Sequence, residues 1–409
     1  MLNLGPKSVL TFLAVFTLCN CIDPYNPKFA GYESLLVVEG LVTDANASYT
    51  VKLSRTFQEQ SSVSVNVSDA TVFISDDSGN KSYLKNKNNG IYKTDSLEFK
   101  GTIGKTYILH IRTNEGEEYE SDPCLMQSVP DIDSIYFAKD QQLINNGNQT
   151  QDGLSIFLDS KQGDNNQYYR WAFDETWKFK VPDPKKYDFN VADSTIIPVT
   201  DVKEYCWKNK KSDGVIIHAI YPGEPTRIVK EPIFFIATDQ SDRLLIQYSI
   251  LVSQYSISKK DYDFWNDLKQ VNDNIGGIFA KQPFTVISNI KDINNPEVRV
   301  LGYFQVSAVK QKRKDIPFSA IVGLTLPYYH YPCVRVEKKP ADFQTPFAPP
   351  VTWFDVYSWY CITSTYSFVE PLYYQGTDSL YKMVFVMPEC ANCELTGTRN
   401  KPDFWVDHN

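Results

Sequence analysis

A chain of 409 residues, 42% apolar and 22% charged, is long enough to bury a core without help from its cysteines, and this ordinary composition excludes a mainly disordered polymer. The net charge of −8, from 41 Lys and Arg against 49 Asp and Glu, argues against a nucleic-acid binder, which needs a basic surface. The length is that of two or three domains, and the chain is rich in aromatics, with 26 Tyr, 24 Phe and 7 Trp beside only 4 Met and 4 His.

Residues 1–20 read as a lipoprotein signal peptide. Lys7 supplies the positive charge and residues 9–18 the apolar run. That run is too short to span a bilayer, which takes about 20 residues. Leu18-Cys19-Asn20-Cys21 follows, with Leu three residues before Cys21 as in a bacterial lipobox. Cys19 has Phe16 and Leu18 at the corresponding positions, which suit processing less well, so Cys21 is the expected lipidated residue. Lipidation there leaves six cysteines, an even number, as disulfide candidates: Cys124, Cys206, Cys333, Cys361, Cys390 and Cys393. Residues 21–34, with Pro24 and Pro27, read as an extended tether. Processing removes only Lys7 among the charged residues, so lipid rather than charge must hold the acidic chain at a membrane.

Residues 35–126 alternate with period two. Leu36-Val37-Val38, Tyr49-Thr50-Val51 and Thr71-Val72-Phe73-Ile74 open the series, and Asp77-Ser78-Gly79-Asn80 marks a hairpin. About seven short strands at this spacing predict an immunoglobulin-like β-sandwich. Gly101-Thr102-Ile103-Gly104-Lys105-Thr106 has two residues between its glycines where a phosphate loop needs four, and a strand follows it, so it reads as a turn.

Residues 127–409 predict a larger β-rich domain with one clear amphipathic helix. Tyr169, Trp171, Phe173, Trp177 and Phe179 share a strand face, interrupted by Glu175. A core face is the plain expectation; Trp171 and Trp177 are the candidates for an aromatic ligand platform. Asp174 and Glu175 beside them are the one carboxylate pair of interest, read as surface groups at a strand bend. Ser258 and Asp261 form a capping-box pattern ahead of Tyr262, Trp265, Leu268, Val271 and Ile275 at helical spacing, and Gly276-Gly277 ends it. Further strands are expected at Phe284-Thr285-Val286-Ile287, from Val298 to Phe304, and at Ala320-Ile321-Val322-Gly323-Leu324. The basic run from Lys310 to Lys314 reads as a solvated hairpin tip, and residues 325–369 as a stapled loop.

Candidate chemistry is sparse. There is no Gly-x-Ser-x-Gly elbow and no His-Glu-x-x-His, and the four His are not at metal-ligand spacing, so no catalytic residue, metal site or cofactor is expected. Cys390-Ala391-Asn392-Cys393 lacks a second pair for zinc and reads as structural disulfide cysteines, grouped with Cys333 and Cys361 in the last quarter of the chain.

Several segments in order resemble one family: Leu36-Val37-Val38-Glu39-Gly40, Tyr168-Tyr169-Arg170-Trp171, Gln254-Tyr255, Tyr262 to Trp265, Gly302-Tyr303-Phe304, Cys390-Ala391-Asn392-Cys393 and Lys401-Pro402-Asp403-Phe404-Trp405. The chain is similar to a Bacteroidota outer-membrane lipoprotein family catalogued as domain of unknown function 4249. The resemblance implies a lipid-anchored protein of the outer membrane, facing the cell surface and partnered by a SusC-like TonB-dependent transporter. It implies no catalytic residues, and an N-terminal sandwich ahead of a larger β-rich domain. The expectation is a non-catalytic accessory or ligand-capture subunit of nutrient uptake. A surface hydrolase of glycan or peptide and an envelope-assembly lipoprotein are the alternatives. Four Asp-Ser-aliphatic/Thr sites, at Ser96, Ser134, Ser194 and Ser379, also resemble the O-glycosylation sequon of Bacteroidota.

Overall fold

The computed structural model describes residues 34–56, 65–144, 148–161, 163, 167–225, 227–274, 286–324 and 329–408. Cys21, the signal segment and almost all of the tether lie outside these, as do Gly276-Gly277 and the first half, Phe284-Thr285, of the strand expected over residues 284–287; its other half, Val286-Ile287, is described and is not in a strand. The fold is mainly β, as the alternating pattern requires, and no helix among the described residues is long and apolar enough to cross a membrane.

The N-terminal sandwich forms as expected, but it is not contiguous in sequence. One sheet orders Leu301–Val306, Leu36–Val42, Thr50–Arg55, Ile91–Lys93 and Lys85–Asn86; the other orders Ile290–Asp292, Glu118–Ser121, Thr106–Arg112, Thr71–Asp76 and Lys81–Tyr83. Residues 35–126 therefore supply most of the sandwich, and two strands return from beyond residue 289 to complete it. Leu301–Val306 pairs in parallel with Leu36–Val42, with Gly302 opposite Val38. The inward residues Leu36, Val38, Leu53, Tyr92, Leu109 and Phe304 make one core. Burial of each such side chain contributes about 1.5–3 kcal/mol.

Gly302 shows how tightly the returning strand fits. Its φ is +82° and a Cβ there would lie 2.0 Å from the Val38 carbonyl oxygen. Gly302→Ala is expected to destabilise the sandwich by about 2–3 kcal/mol, from left-handed strain and backbone displacement. Equilibrium denaturation followed by tyrosine and tryptophan fluorescence measures the loss.

A second sandwich follows. Ile132–Ile144, Gln149–Ser160 and Ile228–Ala237 form one sheet; Tyr205–Lys211, Tyr168–Lys180, Gln247–Ser256 and Val309–Pro317 form the other. Leu154, Ile156 and Leu158 pack in one core with Tyr169, Trp171, Phe173 and Ile250. Ser307 and Ala308, both fully buried, carry the chain straight from the last strand of the first sandwich into the last strand of the second. The Asp44 carboxylate accepts from the Val309 N–H at 2.8 Å across the same junction.

The basic run from Lys310 to Lys314 lies inside the edge strand Val309–Pro317 and is not a hairpin tip. Lysines on an edge strand discourage pairing with another chain, so the same charge pattern serves an element rather than a turn. The expected strand from Ala320 to Leu324 is instead two short 3-10 turns, Phe318–Ala320 and Val322–Leu324, whose backbone bonds turn back on the chain: the Ile321 N–H donates to the Phe318 carbonyl and the Leu324 N–H to the Ile321 carbonyl. Residues 325–369 are not a free loop. Their described part contains Val336–Lys338, the helix Trp353–Tyr357 and the π-helix Ser358–Thr363, and it packs over Ser367–Tyr373 and Leu380–Val386 around Phe368, Met383 and Phe385.

Candidate functional site

The helix Lys259–Asn274 starts where the capping box places it. The Asp261 carboxylate accepts from the Ser258 N–H at 2.8 Å and the Ser258 hydroxyl accepts from the Asp261 N–H at 3.2 Å. Its most buried side chains are Asp261 and Phe264, whereas Tyr262, Trp265, Leu268 and Val271 are only half-buried. The helix is rotated so that Phe264 stacks on Tyr303, ring centroids 4.3 Å apart, and Trp265 is turned toward the sheet.

A cleft of about 370 Å³ opens where this helix, the first sandwich and the second sandwich meet. Its walls include Leu41, Arg170, Asp174, Lys211, Tyr255 and Trp265. The Arg170 guanidinium lies over the Trp265 ring, 4.0 Å from its centroid, and 5.4 Å from that of Tyr255. Its Nη1 donates to Gln305 Oε1 at 3.4 Å; the same oxygen accepts from Trp265 Nε1–H at 2.9 Å, and Gln305 Nε2 donates to Ser307 at 2.9 Å. Burial lowers the pKa of Arg170 from its usual value and raises that of Asp261. The cleft wall is thus one network drawn from both sandwiches and the helix. Three segments of the family resemblance, around Arg170, Tyr255 and Trp265, meet in it.

A second polar cluster sits further along the Tyr168–Lys180 strand. Glu175, 1% exposed, accepts from Arg243 Nε at 2.7 Å and Nη2 at 3.3 Å, and from the Tyr248 hydroxyl at 2.9 Å. Arg243 lies over the Trp177 ring at 4.7 Å, and Trp177 Nε1–H donates to Asp242 at 2.8 Å. Lys208 closes the chain of contacts, its Nζ 2.7 Å from Asp242. Burial beside Glu175 drives the Tyr248 hydroxyl well above its usual pKa.

This geometry corrects several expectations. Trp171 and Trp177, at 1% and 6% exposure, are core residues and not a ligand platform. They occupy the face that the second sheet covers, and Trp171 Nε1–H is spent on Gln254 at 2.9 Å. Asp174 and Glu175, as neighbours on a strand, point to opposite faces and do not act as a carboxylate pair. Glu175 is buried and paired, not a surface group. Among the described residues two disulfides form, Cys206–Cys393 and Cys333–Cys390, so each half of the Cys-x-x-Cys bonds a distant partner. Cys124 and Cys361 are free thiols and leave the disulfide set. Cys124 belongs to the first sandwich, where its Sγ donates to the Asp122 carbonyl at 3.2 Å. Burial pushes the thiols of Cys124 and Cys361 up to about 12 and about 11, which keeps them protonated and unreactive. Of the sequon serines, Ser96, Ser194 and Ser379 are exposed and Ser134 is half-buried in a strand.

A family model described as Domain of unknown function (DUF4249) matches residues 22–313. The chain belongs to this family. No curated protein matches the chain. The matched span holds both sandwiches up to the middle of the last strand, Val309–Pro317, with the helix and every residue of the cleft wall named above, so the cleft is part of the DUF4249 body of this chain. Arg170, Tyr255, Trp265 and Gln305 had no signal as site residues in the sequence. An arginine on the outward face of an alternating strand is what any solvated strand carries, and only the approach of the helix makes it a cleft residue.

His218 offers a pH test of the DUF4249 body. Its Nδ1 lies 2.9 Å from Glu231, and this hydrogen bond raises its pKa. The stabilisation is therefore full below the unfolded value of about 6.5 and is lost as pH rises through the folded value. An NMR titration is expected to give a His218 midpoint above about 6.5 that falls in Glu231→Gln.

Proposed function

We propose that this protein is an outer-membrane lipoprotein, anchored through Cys21 and facing the cell surface, that captures a small ligand as the non-catalytic accessory of a SusC-like TonB-dependent transporter. The observation that carries the reading is the cleft at the junction of the two sandwiches. It has the polar and aromatic walls of a binding site and a size within the usual range of about 300–1,000 Å³. The capture of Glu175 by Arg243 supports binding over hydrolysis, because it removes the one carboxylate pair that the sequence offered for acid–base work. Residues 21–34 would reach about 45–50 Å when extended, enough to let the body approach a neighbouring transporter while the lipid stays in the membrane.

Two measurements test this. Metabolic labelling with an alkyne fatty acid should mark the wild-type chain and not Cys21→Ala; equal labelling removes the anchor assignment. Affinity purification of the full chain from membranes in mild detergent should recover a TonB-dependent transporter, and repeated recovery of none overturns the accessory role. A deletion strain that fails on one nutrient fits capture, whereas a general envelope defect fits an assembly role instead.

A further inference from the structure

We infer that the ligand of the junction cleft carries a carboxylate, which Arg170 binds through the free edge of its guanidinium, and that the cleft selects monoanions over dianions. The inference rests on the capture reading of the same site. A guanidinium has two kinds of surface. Its faces accept aromatic rings, and its edge presents N–H groups in a fork that matches a carboxylate. In Arg170 the ring of Trp265 occupies the face at 4.0 Å, and one edge nitrogen has the neutral partner Gln305 at 3.4 Å. No carboxylate lies within 4.0 Å of Arg170 among the described residues. The buried acid of the neighbourhood, Asp261, is committed to the Ser258 N–H as the helix cap. Asp261 therefore acts on Arg170 only through space, and a buried cation with no carboxylate bonded to it directly is costly. An anion entering the cleft removes that cost and finds the fork already oriented.

The other charges of the cleft narrow the class. Asp174 lies on the same strand face, four residues from Arg170, and so about 13 Å away along the strand. Lys211 stands directly opposite Asp174 in the strand pairing, and neither forms an ion pair among the described residues. Lys211 offsets the charge of Asp174, so the cleft carries the single net positive charge of Arg170; one carboxylate neutralises it, whereas a phosphate or sulfate dianion leaves a negative charge over. The body of the ligand then lies along Leu41, Tyr255 and Leu268, which offer it an apolar and aromatic surface.

Trp265 is the reporter, since it stacks on Arg170. The full chain in mild detergent is titrated with acetate, galacturonate and N-acetylphenylalanine, each organic acid compared with its methyl ester, and with inorganic sulfate. The carboxylates are expected to change tryptophan emission saturably, with the esters weaker by about 10-fold or more, as for any site built around a charged hydrogen bond. Trp265→Phe should abolish the signal while calorimetry still records binding. Arg170→Lys, which keeps the charge and loses the fork, should weaken the carboxylates by about 10-fold. Asp174→Asn leaves the stacked wall intact, and should raise sulfate affinity relative to acetate. Esters that bind as well as acids, wild-type binding retained in a folded Arg170→Gln chain, or no carboxylate binding up to about 20 mM, a range in which even a weak contact registers, would each overturn the inference. A chain that binds no carboxylate yet co-purifies with a transporter refutes this inference alone. A chain that binds carboxylates and never recovers a transporter refutes the accessory role and leaves this inference standing.

Discussion

Arg243→Met is expected to destabilise the protein by about 3–5 kcal/mol, the usual result of removing one partner of a buried ion pair. Glu175 is 1% exposed and takes two bonds from Arg243, so without them its charge has only the Tyr248 hydroxyl for company. Arg243 is also lost from the Trp177 ring, 4.7 Å away, where its planar group covers the indole. Glu175→Ala should cost a similar amount, since it strands the cation and leaves Tyr248 without its acceptor. The informative variant is the double one. Arg243→Met with Glu175→Gln removes both charges and keeps an oxygen for Tyr248, so it should recover most of the loss. Chemical denaturation of the wild type, Arg243→Met, Glu175→Gln and the double variant gives the coupling directly. A double variant as unstable as the singles would mean that packing on Trp177, and not charge, holds the cluster.

Replacing both Cys206 and Cys393 with Ala should cost about 5 kcal/mol, and replacing both Cys333 and Cys390 about 4 kcal/mol, from the lost constraint on the unfolded chain. The order follows the sequence separations, 187 residues against 57. The first bond ties the Cys393–Leu395 turn to the edge strand Tyr205–Lys211, and the Trp207–Thr398 bridge lies beside it. The second holds Cys333 against the Pro388–Ala391 turn. Losing the first should therefore loosen the carboxyl-terminal segment from the second sandwich, which limited proteolysis near residue 398 would detect. Losing the second should act on the packing of Cys333 and Cys390 against Val369, Val384 and Val386 in the strands Ser367–Tyr373 and Leu380–Val386. Equal losses from the two pairs would rule out loop length as the controlling factor. Replacing partners together avoids leaving an odd thiol to pair with Cys361.

Much of the fold was legible because strand alternation and capping are local. The period-two runs gave Leu36–Val42, Thr50–Arg55, Thr71–Asp76 and Tyr168–Lys180, and the Asp77-Ser78-Gly79-Asn80 turn closes Thr71–Asp76 onto Lys81–Tyr83. The Ser258–Asp261 box fixed the start of the helix. The errors share one cause. Lys310 to Lys314 looked like a tip because charge without apolar alternation says nothing about pairing, and Ala320 to Leu324 looked like a strand because a short apolar run has no distinguishing period. The helix turns Trp265 toward the sheet and also buries Phe264, which the spacing left unmarked, because Tyr303, about 40 residues away, receives it.

The sequence by itself determined the β-rich class, the family, and the inward face of Tyr169, Trp171 and Phe179, each of which depends on order along the chain. Tertiary structure alone decided that two strands from beyond residue 289 finish the first sandwich, that the Cys-x-x-Cys bonds outward to Cys206 and Cys333, and that Cys124 and Cys361 stay free. It also decided the cleft. Arg170, Tyr255, Trp265 and Gln305 come from two strands of one sandwich, a helix and a strand of the other sandwich. A binding site is a property of side chains that converge in space, and spacing along the chain carries no record of convergence between elements this far apart.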